Sequence, residues 1–144
     1  MRNLKAGIKI KSTAALNESF FEHTTILIVE HNTEGTTGFV INKPFGKSLN
    51  ELIEFNHSKP FSLMDGGPVD REHLFVLHMR PDLIEGGKNV SNGYYLGGNM
   101  DQVIEAINMR GITLNEIQLF IGYCGWEEGE LEVEINEGSW TISN

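Results

Sequence analysis

Two stretches with the composition of β-strands stand close together near the start of the chain, and this pair narrows the fold more than any other feature. The first, Thr24 to His31 (TTILIVEH), is dense in β-branched residues; the second, Gly38 to Asn42 (GFVIN), follows the turn-rich NTEGTTG. Short apolar, β-branched runs bounded by Gly, Asn and Thr read as strands. The polar loop between them offers Gly35 for a positive φ, which glycine adopts at no steric cost. Strands joined by so short a connection pair antiparallel, which argues against a doubly wound parallel sheet.

The rest of the chain alternates strand and helix signals. Lys43-Pro44 ends the second strand, because proline donates no ladder hydrogen bond and restricts the residue before it. In SLNELIEF, Ser48 and Glu51 have capping-box spacing, which predicts a short helix from Leu49 to Phe55. Gly66, Gly67 and Pro68 form a tight, shaped turn before a strand from Leu74 to His78. A second helix is placed from Met100 to Arg110, with Asn99 as N-cap, Gly111 just past the end, and Val103, Ile104 and Ile107 as its apolar stripe. A strand from Ile117 to Tyr123 follows. Interspersed strands and helices with antiparallel pairing make the class α+β or mixed α/β. At 144 residues, with 40% hydrophobic residues and no repeat or linker, one domain spanning 1–144 is expected.

Charge separates the functional classes. The formal net charge is −9, with 20 acidic residues against 11 basic ones. Nucleic acid is therefore disfavoured, since phosphate contacts need a Lys/Arg footprint. The one basic cluster is N-terminal, Arg2, Lys5, Lys9 and Lys11; there Lys9 and Lys11 alternate with Ile8 and Ile10, as on the solvated face of a strand. A single cysteine forms no internal disulfide, the N-terminus lacks an apolar core of signal-peptide length, and no apolar stretch approaches the roughly 20 residues that span a bilayer. The expected location is the cytoplasm, with no membrane association.

The segment GYCGWEEGELEVEI, from Gly122 to Ile135, is the most unusual in the chain. Glycines 122, 125 and 129 surround Trp126, which suits a strand-to-helix turn pinned by a buried aromatic. After it, Leu131, Val133 and Ile135 alternate with Glu130, Glu132 and Glu134 as in a strand, while Leu131 and Ile135 also have i, i+4 helical spacing and Gly138 suits a helix end. Periodicity leaves both readings open.

Taken with its continuation NEGSW, this segment resembles the G-x-x-x-W-x-x-G-Q-L-E-x-E-I-x-x-x-x-W signature of the bacterial YqgE/AlgH family. Other family marks stand in the same order: Gly7 in a strand-like start, Phe20, GFVINKP, GGPV at Gly66 to Val69, and the pair Leu77-His78. The resemblance covers essentially the whole chain. It implies an α+β fold, with a mixed, largely antiparallel sheet curled into a partial barrel and flanking helices, and a helix at Leu131. Two departures stand out: Glu130 replaces the usual Gln, and AALNES at Ala14 to Ser19 replaces a Pro-containing run. The family is largely uncharacterised. One branch is associated with regulation of alginate production and some members are labelled transcriptional regulators, although no basic helix-turn-helix is visible in this chain.

Candidate chemistry is sparse. Cys124 sits in a glycine-rich turn where a thiol could meet substrate, but lone free cysteines are more often buried hydrophobes, and Glu127 and Glu128 would raise its pKa. His73 and His78 are five apart, so they face opposite ways on one strand and do not chelate together. No metal-ligand spacing appears, and the six glutamates from Glu127 to Glu137 read as a solvated face. GGPV lacks the Lys and Ser/Thr of a phosphate loop. The candidate signature residues, binding or structural, are Asn42, Gly66, Gly67, Pro68, His78, Gly125, Trp126 and Glu132, and a site is to be sought where Asn42, the GGPV turn and Trp126 converge. The expected function is a non-catalytic binding or regulatory module without metal or cofactor, acting on transcription indirectly through a protein partner or small molecule. The alternatives are an enzyme of unrecognised class, hydrolysis being the first candidate, with a small-molecule site near the GGPV turn, and a direct DNA-binding regulator, which the charge disfavours.

Overall fold

The computed structural model describes residues 4–91 and 93–143, so Arg2 lies outside the described residues. The chain forms β1 (Lys9–Ser12), β2 (Thr25–Asn32), β3 (Gly35–Val40), β4 (Pro44–Ser48), β5 (Ser62–Asp65), β6 (Val69–His78), β7 (Lys88–Ser91), β8 (Tyr94–Leu96), α1 (Met100–Met109), β9 (Ile117–Trp126), α2 (Glu130–Asn136) and β10 (Trp140–Ser143). The strands build one sheet in the order β10-β1-β2-β3-β9-β6-β8-β7, with β4 and β5 attached alongside β9. The class is α+β. The β5–β9 pair is parallel and the other pairings are antiparallel, and the sheet stays open, since its path ends at β10 and β7 without closing into a barrel.

β9 is the hub. Its first half pairs with β5 on one edge and β6 on the other, and its last residues, Cys124 to Trp126, pair with β3. Phe120 and Tyr123 belong to one cluster of the core, although residues an odd number apart on a regular strand face opposite ways. The alternation slips by one at Gly122, which has φ +73°; a Cβ there would overlap the carbonyl oxygen of Gly67. The slip lets Ile117, Leu119 and Ile121 pack under α1 while Cys124 and Trp126 pack with Leu131 and Trp140. Across from Gly122, β6 bulges between Val69 and Leu74 and extrudes Asp70 to His73.

The first hairpin is tighter than its sequence suggests. β2 and β3 extend into the polar loop, so that Asn32 pairs with Gly35 and two residues make the turn, with Gly35 at φ +131°. β2 reads as an unbroken apolar run because both its faces are buried: Ile26 and Ile28 in one cluster, Leu27 and Val29 in another. The Lys9/Ile10 alternation is a strand with its lysines exposed.

Three expectations need correction. The helix from Leu49 to Phe55 is instead two 3₁₀ turns, Leu49–Glu51 and Ile53–Phe55, broken at the extended Leu52 (φ −85°, ψ 134°). The Glu51 carboxylate does accept from the Ser48 backbone N–H at 2.7 Å, but Leu49, Leu52 and Phe55 repeat every three residues, the 3₁₀ period, and all three pack on the core. Pro44 does not merely end a strand; it begins β4, a position that needs no donor. The acidic run after Trp126 is indeed helix α2, yet it is not wholly a wet face, because Glu134 turns inward.

Candidate functional site

The Trp126 corner is a clasp. Trp126 and Trp140 meet edge to face, 6.0 Å between centroids, and their indole N–H groups both donate to Glu134 Oε1, at 3.1 and 3.0 Å. α2 carries the carboxylate, and its N-cap Gly129 makes the turn that brings it back over the strand end. Both rings are almost wholly buried. The neighbouring Glu132 is exposed, 3.7 Å from His31 Nε2, whose other ring nitrogen bonds Thr36 Oγ1 at 2.7 Å.

The other signature residues fall into separate places. The carbonyl of Gly66 accepts from Val40 N–H at 2.9 Å and from the Cys124 thiol at 3.4 Å, while Gly67 passes so close to Tyr123 that a Cβ would overlap its carbonyl. Pro68, exposed, completes the turn. Asn42 ties the start of β2 in place: its side chain accepts from Thr25 N–H at 2.9 Å and donates to the His23 carbonyl at 3.0 Å. Val69, Gly125 and Trp126 line a shallow depression of about 600 Å³, and Asn42 is not among its lining residues. His78 lies at the far end of β6, in register with Ile117 of β9 and Tyr95 of β8, away from the GGPV turn.

Cys124 is 1% exposed, and burial pushes its thiol up to about 12, so it is protonated at neutral pH. His78 is fully buried. Its Nδ1 accepts from the Arg80 backbone N–H at 3.1 Å, which leaves the proton of the neutral ring on Nε2, and the ring stacks on Tyr95. Nε2 has no hydrogen-bond partner among the described residues. Burial lowers the His78 pKa, with the Gly97 backbone and the Asp82 charge pulling the other way. Among the described residues no group of three or more His, Cys, Asp or Glu side chains is placed to hold a metal ion. Among the described residues no helix is long and apolar enough to cross a membrane.

A second, larger concavity is lined by none of the eight signature residues. It is an open trough of about 890 Å³ between the 3₁₀ turns and β4 on one side and the β6 bulge on the other, with β3 and β9 below and the end of β8 beyond. Phe45, Phe55, Phe75 and Tyr123 make its floor aromatic, and Leu52, Leu74 and Met100 extend it. Ile53 stands on the rim, 89% exposed. Arg71 reaches in from the bulge over Phe45, its two terminal nitrogens on Asp65 at 2.6 and 3.2 Å and one of them also on the Gly67 carbonyl. His73 is bonded to Asp70, whose carboxylate raises its pKa; Glu72 and Glu54 add to the rise. The missed signal was the three-residue repeat of Leu49, Leu52 and Phe55, which leaves Ile53 with no buried place.

A family model described as AlgH-like (DUF179) matches residues 9–144. The chain belongs to this family. It is 37% identical over 139 residues to a UPF0301 protein of Chlorobium luteolum, covering 96% of this chain and 74% of that one. A UPF0301 protein of Chlorobaculum tepidum is 39% identical over 137 residues, covering 95% and 73%. Among solved structures, protein DIP2367 of Corynebacterium diphtheriae is similar in fold at a TM-score of 0.79 with 20% identity, covering 99% of this chain and 76% of that one. The solution structure of the AlgH protein of Pseudomonas aeruginosa matches at 0.74 with 25% identity, covering 99% and 80%. These names state no activity for the AlgH-like family.

Proposed function

We propose that this AlgH-like chain is a cytoplasmic, non-catalytic binding module whose site is the aromatic trough, and that any effect on transcription passes through what the trough binds. The observation that carries this is the floor itself: Phe45, Phe55, Phe75 and Tyr123 are only partly buried and line one groove, Phe75 and Tyr123 with ring centroids 5.5 Å apart, and its volume falls within the roughly 300–1,000 Å³ of ligand sites. Apolar surface left open in a concave site gains free energy when an occupant displaces water from it. No serine or cysteine lines the trough among the described residues, and its arginine and histidine are already held by carboxylates.

The test is binding of Nile red, a neutral dye whose fluorescence rises in apolar surroundings. Ile53→Asp changes an exposed rim residue and leaves the core alone, and a carboxylate at that lip should weaken dye binding about fivefold or more. Dye binding that is indifferent both to Ile53→Asp and to Phe45→Ala would sink the assignment.

A further inference from the structure

The charges around the trough identify its occupant. Four glutamates, Glu30, Glu51, Glu54 and Glu72, line it against Lys47, Arg71 and His73, and Glu30 is itself paired with Lys88 at 2.9 Å. The cations are not equivalent. Arg71 is neutralised by Asp65 and His73 is bonded to Asp70, which leaves Lys47 as the unpaired cation of the lining among the described residues. Glu54 and Glu72, one on each side of the floor, form no salt bridge among the described residues, and both stand near enough to His73 to raise its pKa. Beyond Glu30, Thr37 and Tyr123, which line both concavities, the trough continues into the shallow depression beside Trp126, where Glu34, Glu127 and Glu130 join the lining and, among the described residues, no lysine, arginine or histidine does.

We propose that the trough is the docking groove for a basic amphipathic helix of a partner protein, apolar face on the aromatic floor and lysines or arginines along the acidic lips. This rests on the trough being a binding site and adds the class of occupant. The complementarity is of two kinds at once. An aromatic floor between acidic lips matches a helix with apolar residues at i, i+3, i+4 and i+7 and cations on its flanks. Cations set over aromatic faces gain further attraction. The extension into a second acidic basin matches an elongated segment; a compact apolar molecule would leave it unused. The net charge of −9 steers such a segment inward from a distance.

The experiment uses the full chain and fluorescein-labelled model peptides of about 18 residues, enough for five helical turns. One carries leucine and lysine at amphipathic spacing, a second has the same composition scrambled, and a third has glutamate in place of lysine. The patterned Leu/Lys peptide should bind at least tenfold more tightly than the scrambled one, displace Nile red, and leave the Leu/Glu peptide unbound. Glu54→Lys and Glu72→Lys, each at an exposed position, should each weaken it severalfold with circular dichroism unchanged. Glu105→Lys makes the same change of charge on α1, away from the trough, and should leave the affinity alone. Equal affinity for patterned and scrambled peptides, or an equal loss in Glu105→Lys, would overturn the proposal in favour of general charge attraction. Nile red bound in the trough, sensitive to Ile53→Asp but displaced by no peptide, overturns the occupant and leaves the site standing. Indifference of every probe to every trough substitution removes the site and the occupant together.

Discussion

Single atoms decide how the central strand is shaped. Gly122 faces the Gly67 carbonyl in a left-handed conformation, so Gly122→Ala adds both backbone strain and an overlap with main chain that cannot step aside. We expect a loss of about 3 kcal/mol, read from the urea midpoint with the slope unchanged; a loss below about 1 kcal/mol would mean the strand shifts freely here. Glu134→Ala leaves two buried indole N–H groups without an acceptor, at about 1 to 3 kcal/mol for each orphaned donor. It should also change the tryptophan emission, because both rings lose the same carboxylate. Sequence order shows the glycines and Trp126 as a corner. It cannot show that Glu134, one of six glutamates in a row of similar neighbours, is the one turned inward, because that depends on where Trp140 returns.

At the scale of elements, the β7–β8 hairpin is held to the sheet across His78, whose ring stacks on Tyr95 of β8. Burial lowers the pKa of this ring in the folded state, while the unfolded chain titrates near the usual histidine value, about 6.5. Between the lowered folded pKa and that value the unfolded state holds more protons, so this histidine's contribution to stability is complete above about pH 6.5 and is lost as the pH falls through the window. His73 works oppositely: its pKa is raised by Asp70, so its contribution is present at low pH and lost as the pH rises through the raised value. The readout is therefore a difference. Melting temperature should fall more steeply from pH 7 to pH 5 in the parent than in His78→Asn, whose amide oxygen still accepts from Arg80 N–H without titrating. Parallel pH curves for the two would show that the buried ring is not what couples protons to stability. Helix α1 was legible because its ends are local: the Asn99 side chain accepts from Gln102 N–H at 3.0 Å, and Gly111 follows the last turn. The 3₁₀ segment was misread because a capping box specifies a start and says nothing about how far the helix continues past it.

For the molecule as a whole, Cys124 reports on opening. It lies on β9 in a core cluster with Trp126 and Trp140, protonated and shielded, so a thiol reagent should modify it only when the central strands separate. Labelling should be slow in native buffer, accelerate steeply with urea, and become faster in Gly122→Ala; complete labelling within seconds in native buffer would contradict the packing. The sequence by itself determined the antiparallel character of the sheet, the ends of α1, the aromatic corner and, through the order of its motifs, the family. These follow from residues near one another in the chain, where side-chain period, caps and turn chemistry act over a few positions. Only the tertiary structure decided that GGPV is a packing turn against β9, that Asn42 and Trp126 stand apart, and that the trough exists. Its floor is gathered from β4, the 3₁₀ turns, β6 and β9, and whether Phe45, Phe55 and Phe75 are open or covered depends on what chain segment packs over them, a relation between distant residues that no local pattern encodes.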